Sequence, residues 1–491
     1  MQRLRPGSPL SGRSSDACKN FPDNTARIAA KPARIFRGYF ADKMLAFPDH
    51  GLVVSQQAVR TIGGNSGDTV APSNRGKQMK RILAAAGLCV LGVGPTQAET
   101  SLTYMMWGDP PEIAVWEQLV AAFQVTNPDI RIKVEVADWD SYWNKLRVQT
   151  AGGDAPDVFA MDGPIYPDWQ SRGTLLNLQS YIDADPDALK GVYAGPLTTY
   201  KMPDGYYGLP RDFQTIVMYY NKPMFDAAGI AYPDDTWTTD DFRAAAAKLT
   251  QDKDGDGKID QWGVSTEVWD MEPFWGPMVY NHGGDIISAD HTHTLMTEGP
   301  ARDAFAFINA MMAEDKSLMS AEMQESYGND AFAAGVAAMT FSGHWLIPSY
   351  NTLPFDWQVA PFPKGPAGRA TLVNSAGIVI GAGSAHPDEA WKFVRFVVSA
   401  EGQSILTSLG FAIPVNEAVA TGPIYLQQSN KGDHQVFVDA LAYAHPKPSF
   451  KGYEEWAGLV GDPLGMVWRG EVDLNTALDE IAGSADDVLG K

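Results

Sequence analysis

The chain has 491 residues, 45% of them hydrophobic, with 59 Asp and Glu against 38 Lys and Arg and a formal net charge of −21. This length and composition indicate a globular protein of more than one domain, with enough apolar residues for a sizeable core. The excess of acidic over basic side chains argues against nucleic acid and anionic membrane surfaces as partners.

The beginning of the chain differs from the rest. Residues 1–78 mix Arg, Ser, Gly and Pro without an apolar period, which predicts either a disordered extension or a start codon assigned too early. Residues 79–98, MKRILAAAGLCVLGVGPTQA, place basic residues before a short apolar run and end on small residues, the pattern of a cleaved signal peptide. Removal of both segments would leave 24 basic and 54 acidic side chains, a net charge near −30.

The part after residue 98 opens with alternating elements. Residues 101–107 predict a strand, residues 113–124 an amphipathic helix and residues 130–136 a second strand. A further helix is expected over 140–151 and a third strand over 157–161. This alternation predicts an α/β fold with a parallel sheet covered by helices.

Residues 208–230, GLPRDFQTIVMYYNKPMFDAAGI, combine a bend, a buried strand and a short helix. Pro210 disfavours helix before it, residues 215–220 are β-branched and aromatic, and Gly229 follows the helix predicted over 223–228. Four polar residues lie at the start of this otherwise apolar strand: Arg211, Asp212, Gln214 and Thr215. Such an arrangement predicts a hinge that also contacts a ligand.

The second half continues with mixed elements. Thr238 and Asp241 have capping-box spacing before a helix over 242–249. Further predicted elements are a strand over 262–266, a helix over 302–315, a small-residue helix over 330–339, a strand over 375–380, a helix over 387–399 and helical structure over 467–481.

Three of these stretches resemble bacterial extracellular solute-binding proteins, the maltose-binding-like family of ABC sugar importers. They are the Gly-Leu-Pro bend that leads to Tyr-Tyr-Asn-Lys, the run KLRVQTAGGDAPDV at 145–158, and the Gly-x-Trp at 343–345. The resemblance covers residues 99–491. It implies a two-lobed periplasmic binding protein fold with discontinuous lobes and a hinge of three crossovers.

The resemblance also implies where the lobes divide. The first lobe would comprise residues 99–212 and 362–412, and the second lobe residues 213–361 and 413–491. The crossovers would lie near residues 210–217, 359–363 and 411–416.

Tryptophans near predicted strand ends or in connecting loops suggest a carbohydrate site, because sugar rings pack on aromatic planes while their hydroxyls need polar partners. A single such Trp is more often a core residue, and we expect two or three of them to touch ligand. The positions that match the family's sugar cleft are Trp107, Asp109, Trp143, Asp162, Arg211, Asp212, Gln214, Glu272, Phe274, Trp275, Gly343, Trp345, Asn374, Gly377 and Trp456. Gln214 stands where the maltose-binding type has an acid, so the sugar need not be the same.

The implied function is the periplasmic substrate-binding component of an ABC carbohydrate importer. It would be secreted through a cleaved signal peptide, act as a monomer and deliver a sugar or oligosaccharide to membrane permease subunits. No catalysis is expected, since the sequence lacks G-x-S-x-G, H-E-x-x-H and Walker motifs. Three alternatives stay open: a periplasmic glycoside hydrolase, a binding protein for amino acids, peptides or polyamines, and a structural surface protein.

A calcium loop is suggested by residues 252–260, DKDGDGKID. Asp252, Asp254 and Asp256 occupy positions 1, 3 and 5, Lys258 would offer its carbonyl at 7, and Asp260 occupies position 9. Position 12 is glycine instead of the usual bidentate glutamate. The loop therefore predicts either a structural calcium site or an acidic surface turn, and in neither case the ligand cleft.

Overall fold

The computed structural model describes residues 99–491 except Asp109, Asn329, Leu409, Phe411, Ser429, Asn430, Gly490 and Lys491. The predicted N-terminal extension, the predicted signal peptide and the predicted ligand contact of Asp109 lie outside the described residues. Among the helices that are described, none is both long and apolar enough to cross a bilayer.

The strands fall into three main sheets and one small hairpin. In chain order they are β1 (Thr100–Trp107), β2 (Ile130–Ala137), β3 (Val158–Asp162), β4 (Lys201–Met202), β5 (Gly205–Tyr206), β6 (Leu209–Pro210), β7 (Gln214–Thr215), β8 (Val217–Asn221), β9 (Trp262–Val264), β10 (Ala337–Ser342), β11 (Trp357–Ala360), β12 (Thr371–Asn374), β13 (Ala376–Ile380) and β14 (Ala444–Pro446).

The helices surround these sheets. They are α1 (Pro110–Thr126), α2 (Trp139–Ala151), α3 (Tyr166–Ser171), α4 (Gln179–Ala184), α5 (Ala194–Thr198), α6 (Lys222–Ala228), α7 (Thr239–Leu249), α8 (Gly276–Asn281), α9 (Gly299–Ala313), α10 (Ala321–Glu325), α11 (Ile347–Tyr350), α12 (Pro387–Val398), α13 (Ala400–Ser408), α14 (Glu417–Ala420), α15 (Pro423–Leu426), α16 (His434–Asp439), α17 (Tyr453–Trp468) and α18 (Leu474–Ser484). A π-helical turn covers Met271–Trp275, and 3-10 turns cover His344–Leu346, Ala440–Tyr443 and Ala485–Asp487.

The first lobe is built on the five-stranded sheet β2-β1-β3-β13-β6. Strands β1, β2 and β3 are parallel, as the β-α-β opening predicts, and β13 runs antiparallel to β3. Every residue of β3 is buried, because helices cover both faces of the sheet. The polar Asp162 is therefore held at the end of an otherwise apolar strand.

The second lobe is built on the four-stranded sheet β11-β8-β10-β9. Strand β8 lies antiparallel to β10 and β11, and alternate side chains point to opposite faces. Met218 and Tyr220 pack into the main core, while Val217 and Tyr219 pack into a second apolar cluster. This two-sided burial explains why the strand is apolar along its whole length.

A third sheet, β14-β12-β7, lies in the segments that connect the lobes. The chain passes from β6 in the first lobe through β7 to β8 in the second, which places the first crossover where the sequence predicts it. Later, β12 pairs with β7, and the next strand, β13, pairs with β3. The third crossover lies beside the first, where Ile413 bridges to Phe213.

Two expectations about local structure are wrong. Residues 330–335 form turns before β10 instead of a small-residue helix. The predicted helix over 467–481 is split at residues 469–473 into α17 and α18.

The predicted signals for the end of α6 and the beginning of α7 are confirmed. Gly229 ends α6 in the left-handed conformation, at φ 60°. Thr238 and Asp241 form the reciprocal capping box that begins α7.

Candidate functional site

A cavity of about 580 Å³ lies between the lobes, and we call it the first chamber. Residues from both lobes, from the first crossover and from the strand preceding β13 meet around it. Its walls are Trp107, Gly108, Glu112, Asp138, Trp139, Asp162, Arg211, Asp212, Gln214, Glu267, Asp270, Glu272, Trp345, Asn374, Ala376, Ala412 and Lys447.

A second cavity of about 360 Å³, the second chamber, shares Trp139, Asp162, Asp270 and Lys447 with the first. Its other walls are Trp143, Ile165, Trp269, Met271, Trp275, Tyr453, Glu454, Trp456, Ala457, Val460 and Gly461. Because four residues belong to both, the two chambers adjoin, and we call them together the cleft.

Exposed indoles line this cleft. Trp139 is 47% exposed, Trp269 40% and Trp345 36%, which is unusual for so large an apolar side chain. Trp107 is half-buried and packs edge-on against Trp139, with 5.0 Å between ring centroids. An apolar surface kept open to water between two lobes indicates a binding surface for a ligand with apolar faces.

Arg211 and Asp212 form a buried pair beside the cleft. The Arg211 Nε donates to Asp212 Oδ2 over 3.0 Å, and its Nη1 donates to the Tyr104 hydroxyl over 3.3 Å. The guanidinium also stacks on Trp107, 4.7 Å from the ring centroid. Since Arg211 is only 2% exposed, its charge is already used to hold the hinge and one indole in place.

The floor of the cleft is an acid-rich network around Lys447. Lys447 Nζ lies 2.9 Å from Glu272 Oε2 and 3.6 Å from Asp270 Oδ1. Asn374 Nδ2 donates to both Glu272 Oε2 and Asp162 Oδ1, each over 3.1 Å. Burial raises the pKa of Asp162 to about 6 against the lowering effect of Lys447, and the Glu272 carboxylate raises it further.

The chain around Glu272 is a π-helical turn, a feature that is frequent at functional sites. Asp270 caps this turn, and its Oδ1 accepts from the Glu272 backbone N–H over 2.9 Å. The turn also positions Trp275 at the second chamber.

A model of the family described as bacterial extracellular solute-binding protein matches residues 107–404, more than half of the chain. The protein belongs to the bacterial extracellular solute-binding protein family.

Two curated relatives of this solute-binding protein span most of its length. A binding protein of Brucella abortus (strain 2308) is 26% identical over 382 residues, covering 77% of this chain and 90% of the relative. The maltotriose-binding protein of Pyrococcus abyssi is 24% identical over 387 residues, covering 76% of this chain and 75% of the relative.

Solved structures confirm the two-lobed fold. An ABC substrate-binding protein of Listeria monocytogenes, solved in complex with cycloalternan, aligns with a TM-score of 0.73 at 26% identity. The alignment covers 79% of this chain and 98% of the Listeria protein.

Most of the predicted site residues of the solute-binding protein line the cleft. The first chamber contains Trp107, Asp162, Arg211, Asp212, Gln214, Glu272, Trp345 and Asn374, and the second contains Asp162, Trp143, Trp275 and Trp456. Trp456 is 1% exposed and its Nε1 donates to Thr294 Oγ1, so it supports the second chamber more than it offers a surface.

Among the predicted site residues that the structure describes, three line neither chamber. Phe274 is fully buried, and its ring centroid lies 5.1 Å from that of Phe341 in the core. Gly377 lies in β13, where a Cβ would overlap the Tyr200 ring. Gly343 is buried as well, and a Cβ there would overlap the Trp345 ring, so this glycine allows the indole to fold back towards the cleft.

Several cleft residues were missed from the sequence. They are Glu112, Asp138, Trp139, Glu267, Trp269, Asp270, Lys447 and Tyr453. Trp139 begins α2 directly after β2, so its position at a strand end could have identified it. Lys447 carried no such signal, because only the pairing of β14 with β12 brings it to the floor.

The loop at residues 252–260 lies on the surface. Ligand atoms of Asp252, Asp254 and Asp260 lie within 4.8 Å of one another, and all three residues are exposed. The two Asp252 oxygens accept from the Gly255 and Gly257 backbone N–H groups, at 2.7 and 2.8 Å. Carboxylates this close suit a hard cation.

The remaining proposed ligands of this loop are placed differently. Asp256 does not join the three clustered carboxylates, and its Oδ2 lies 3.4 Å from Lys258 Nζ. At position 12, Gly263 packs so tightly on the Ala246 backbone that no side chain fits there.

Proposed function

We propose that this solute-binding protein is the periplasmic substrate-binding component of an ABC importer for a sugar or oligosaccharide. The observation that carries the proposal is the interlobe cleft, in which exposed indoles face a floor of hydrogen-bonding carboxylates and an amide. The binding of sugars by relatives, such as the maltotriose-binding protein of Pyrococcus abyssi, supports the same conclusion.

The cleft suits the two kinds of surface on a sugar. The C–H faces of a pyranose pack on aromatic planes such as Trp345 and Trp139. The hydroxyl edges donate to carboxylate and amide oxygens, which Asp162, Glu272 and Asn374 provide. Two adjoining chambers offer room for more than one sugar unit.

The arrangement around Arg211 disfavours a binding protein for amino acids. Recognition of an α-carboxylate would need an accessible cation, but the Arg211 guanidinium is buried between Asp212 and the Trp107 ring. The second cation of the cleft, Lys447, is held by Glu272 and Asp270.

Ligand binding would stabilise a closed arrangement of the lobes, because groups from both lobes contribute to the same cleft. Closure shifts the equilibrium only as far as the ligand prefers the closed form. The closed monomer would then be recognised by the permease subunits in the inner membrane. In this proposal the protein binds its sugar without chemical change.

The test is a thermal-shift screen of the purified protein against a carbohydrate panel, with amino acids as a comparison set. A true ligand at about 100 times its dissociation constant adds about 2.7 kcal/mol to stability. A shift with amino acids and none with carbohydrates would overturn the proposal. Release of free sugar from a chromogenic glycoside would instead support a hydrolase.

We also propose that the loop at residues 252–260 binds a structural calcium ion. Asp252, Asp254 and Asp260 would hold it through carboxylate oxygens, with Lys258 contributing its carbonyl. The missing twelfth ligand predicts weaker binding than in a complete calcium loop. Calcium binding to the purified protein, measured by calorimetry after chelator treatment, tests this assignment.

A further inference from the structure

The first chamber has an excess of negative charge. Among the described residues, seven carboxylates line it, against two basic side chains. Both bases are committed: Arg211 pairs with Asp212, and Lys447 pairs with Glu272. Lys447 Nζ also lies 3.6 Å from Asp270 Oδ1, and Asp162 Oδ1 accepts from Asn374 Nδ2, so these two bases are shared among more acids than they can neutralise.

This excess raises the free energy of the ionised cleft. The pKa of Asp162 is raised to about 6 by burial and by the Glu272 and Asp270 carboxylates, although Lys447 opposes the shift. The Glu267 residue is more exposed than Asp162, but its carboxyl group is enclosed. This enclosure, together with the negative charges of Asp270 and Glu272, raises the pKa of Glu267 to about 7. Within the described part of the chain, no side chain donates a hydrogen bond to the Glu267 carboxylate. A cation from outside would relieve this repulsion.

We propose that the ligand is a cationic amino sugar oligosaccharide, whose protonated amine lies among Asp162, Glu267 and Asp270. This inference rests on the proposed function, since it assigns the chemistry of the sugar that the same cleft takes. An ammonium group bound by ionised acceptors makes hydrogen bonds roughly twice as strong as those of a neutral hydroxyl.

The aromatic walls fit the same ligand. Trp139 belongs to both chambers, so an amine at their junction can also lie near the face of an indole, where a cation is attracted. An anionic sugar such as a uronate would instead be repelled by the excess of carboxylates over bases.

An unused donor points to a ligand that extends beyond the first chamber. Trp143 lines the second chamber and is 4% exposed, and its indole Nε1 has no hydrogen-bond partner among the described residues. A buried donor left unpaired is costly, so an acceptor brought by a ligand would stabilise it. An oligosaccharide that fills both chambers supplies such an oxygen.

The experiment is titration calorimetry of the purified protein with matched ligands at pH 7. The cationic probes are glucosamine and its β-1,4-linked disaccharide and trisaccharide. Their N-acetylated counterparts keep the size and remove the charge, and maltotriose serves as a neutral oligosaccharide. We expect the amine trisaccharide to bind at least tenfold more tightly than its N-acetylated form.

A matched pair of variants locates the charge. Glu267→Gln should weaken the amine trisaccharide about tenfold, and this loss should exceed any change in affinity for the N-acetylated trisaccharide. The control Glu117→Gln removes an exposed glutamate of α1 that lines neither chamber, and it should change no affinity. Lowering the pH from 7 to 5 should weaken the amine ligand as Asp162 and Glu267 take up protons.

The outcomes separate this inference from the proposed function. Equal or tighter binding of the neutral or N-acetylated sugars would overturn the cationic ligand and leave the carbohydrate importer intact. A failure of the amine ligands while another carbohydrate binds would do the same. The absence of binding by every carbohydrate would overturn the proposed function as well.

Discussion

The cleft and the loop at residues 252–260 each gather several carboxylates, but their surroundings act on those acids in opposite directions. In the cleft, burial raises the pKa of Asp162 to about 6. In the loop, the Gly257 and Gly255 backbone N–H groups lower the pKa of the exposed Asp252. The chemistry of an acidic cluster therefore depends on what faces the carboxylates and not on how many there are.

The comparison is most strongly tested by removing the buried cation of the cleft. Lys447→Met leaves Glu272 and Asp270 without their ammonium partner in a site where the lysine side chain is only 9% exposed. We expect a loss of about 3–5 kcal/mol in unfolding free energy, since an unpaired buried charge is left behind. Urea denaturation measures it.

The control for that variant is Lys392→Met on the exposed face of α12, which should change stability by no more than about 0.5 kcal/mol. Equal stability of the two variants would show that the floor of the cleft does not depend on Lys447.

Burial lowers the pKa of a base, whereas it raises the pKa of an acid. A histidine pair at the hinge tests this difference. His344 Nε2 and His434 Nδ1 lie 2.9 Å apart, both rings are buried, and the His344 backbone N–H donates to Gln214 Oε1. Burial lowers the pKa of His434 to about 4 and that of His344 well below its ordinary value.

The sign of the pH effect follows from these shifts. Because the folded pKa values lie below the unfolded value of about 6.5, the stability from this pair is present above pH 6.5 and is lost as the pH falls towards 4. The loss should be about 2–3 kcal/mol for His434. Asp162 acts oppositely, because its raised pKa favours the folded state at low pH.

Denaturation curves at pH 7, 6, 5 and 4 for the native chain and for His434→Gln separate the contribution of the histidine pair from that of Asp162. The difference between the two proteins should shrink or reverse as the pH falls. A constant difference would show that the pair does not titrate with folding.

Trp345→Ala distinguishes a ligand surface from a core residue. Because its ring is 36% exposed in the cleft, we expect loss of sugar affinity worth about 1–3 kcal/mol with little change in melting temperature. Calorimetry with the sugar found in the screen measures the affinity.

The matched control is Tyr232→Ala, an equally exposed aromatic residue outside the cleft, which should leave affinity unchanged. Unchanged affinity in the Trp345 variant, combined with a large drop in melting temperature, would place this indole in the core.

The smallest expected effect concerns the loop. Chelation of calcium should lower the melting temperature by a few degrees and leave sugar affinity as it was, because none of the loop acids lines a chamber. The variant Asp254→Asn should lose most of the response to chelator. An identical melting curve with and without chelator would favour an acidic surface turn.

The sequence determined the local elements wherever one physical signal dominates. The alternating and apolar runs of β1, β2 and β3, the capping box at Thr238 and the glycine end of α6 are set by residues close in the chain. Strand β11 could not be assigned from the sequence, because only its pairing with β8 decides its state.

The cleft was predictable where a site residue lies at the end of a predicted strand or in the first crossover. Trp107 and Arg211 were found in this way, whereas Asp162 was implied by the resemblance to the family. Phe274 was misassigned since its neighbours in sequence, Glu272 and Trp275, do reach the cleft while its own ring turns into the core.

By itself, therefore, the sequence determined the class of fold, the position of the first crossover and the aromatic character of the site. Only the tertiary structure decided the electrostatics of the cleft. Lys447 and Glu272 are 175 residues apart, and Asn374 and Asp162 are 212 apart. These side chains interact because the hinge sheet and the lobes bring them within hydrogen-bond distance, and burial then raises the pKa of Asp162.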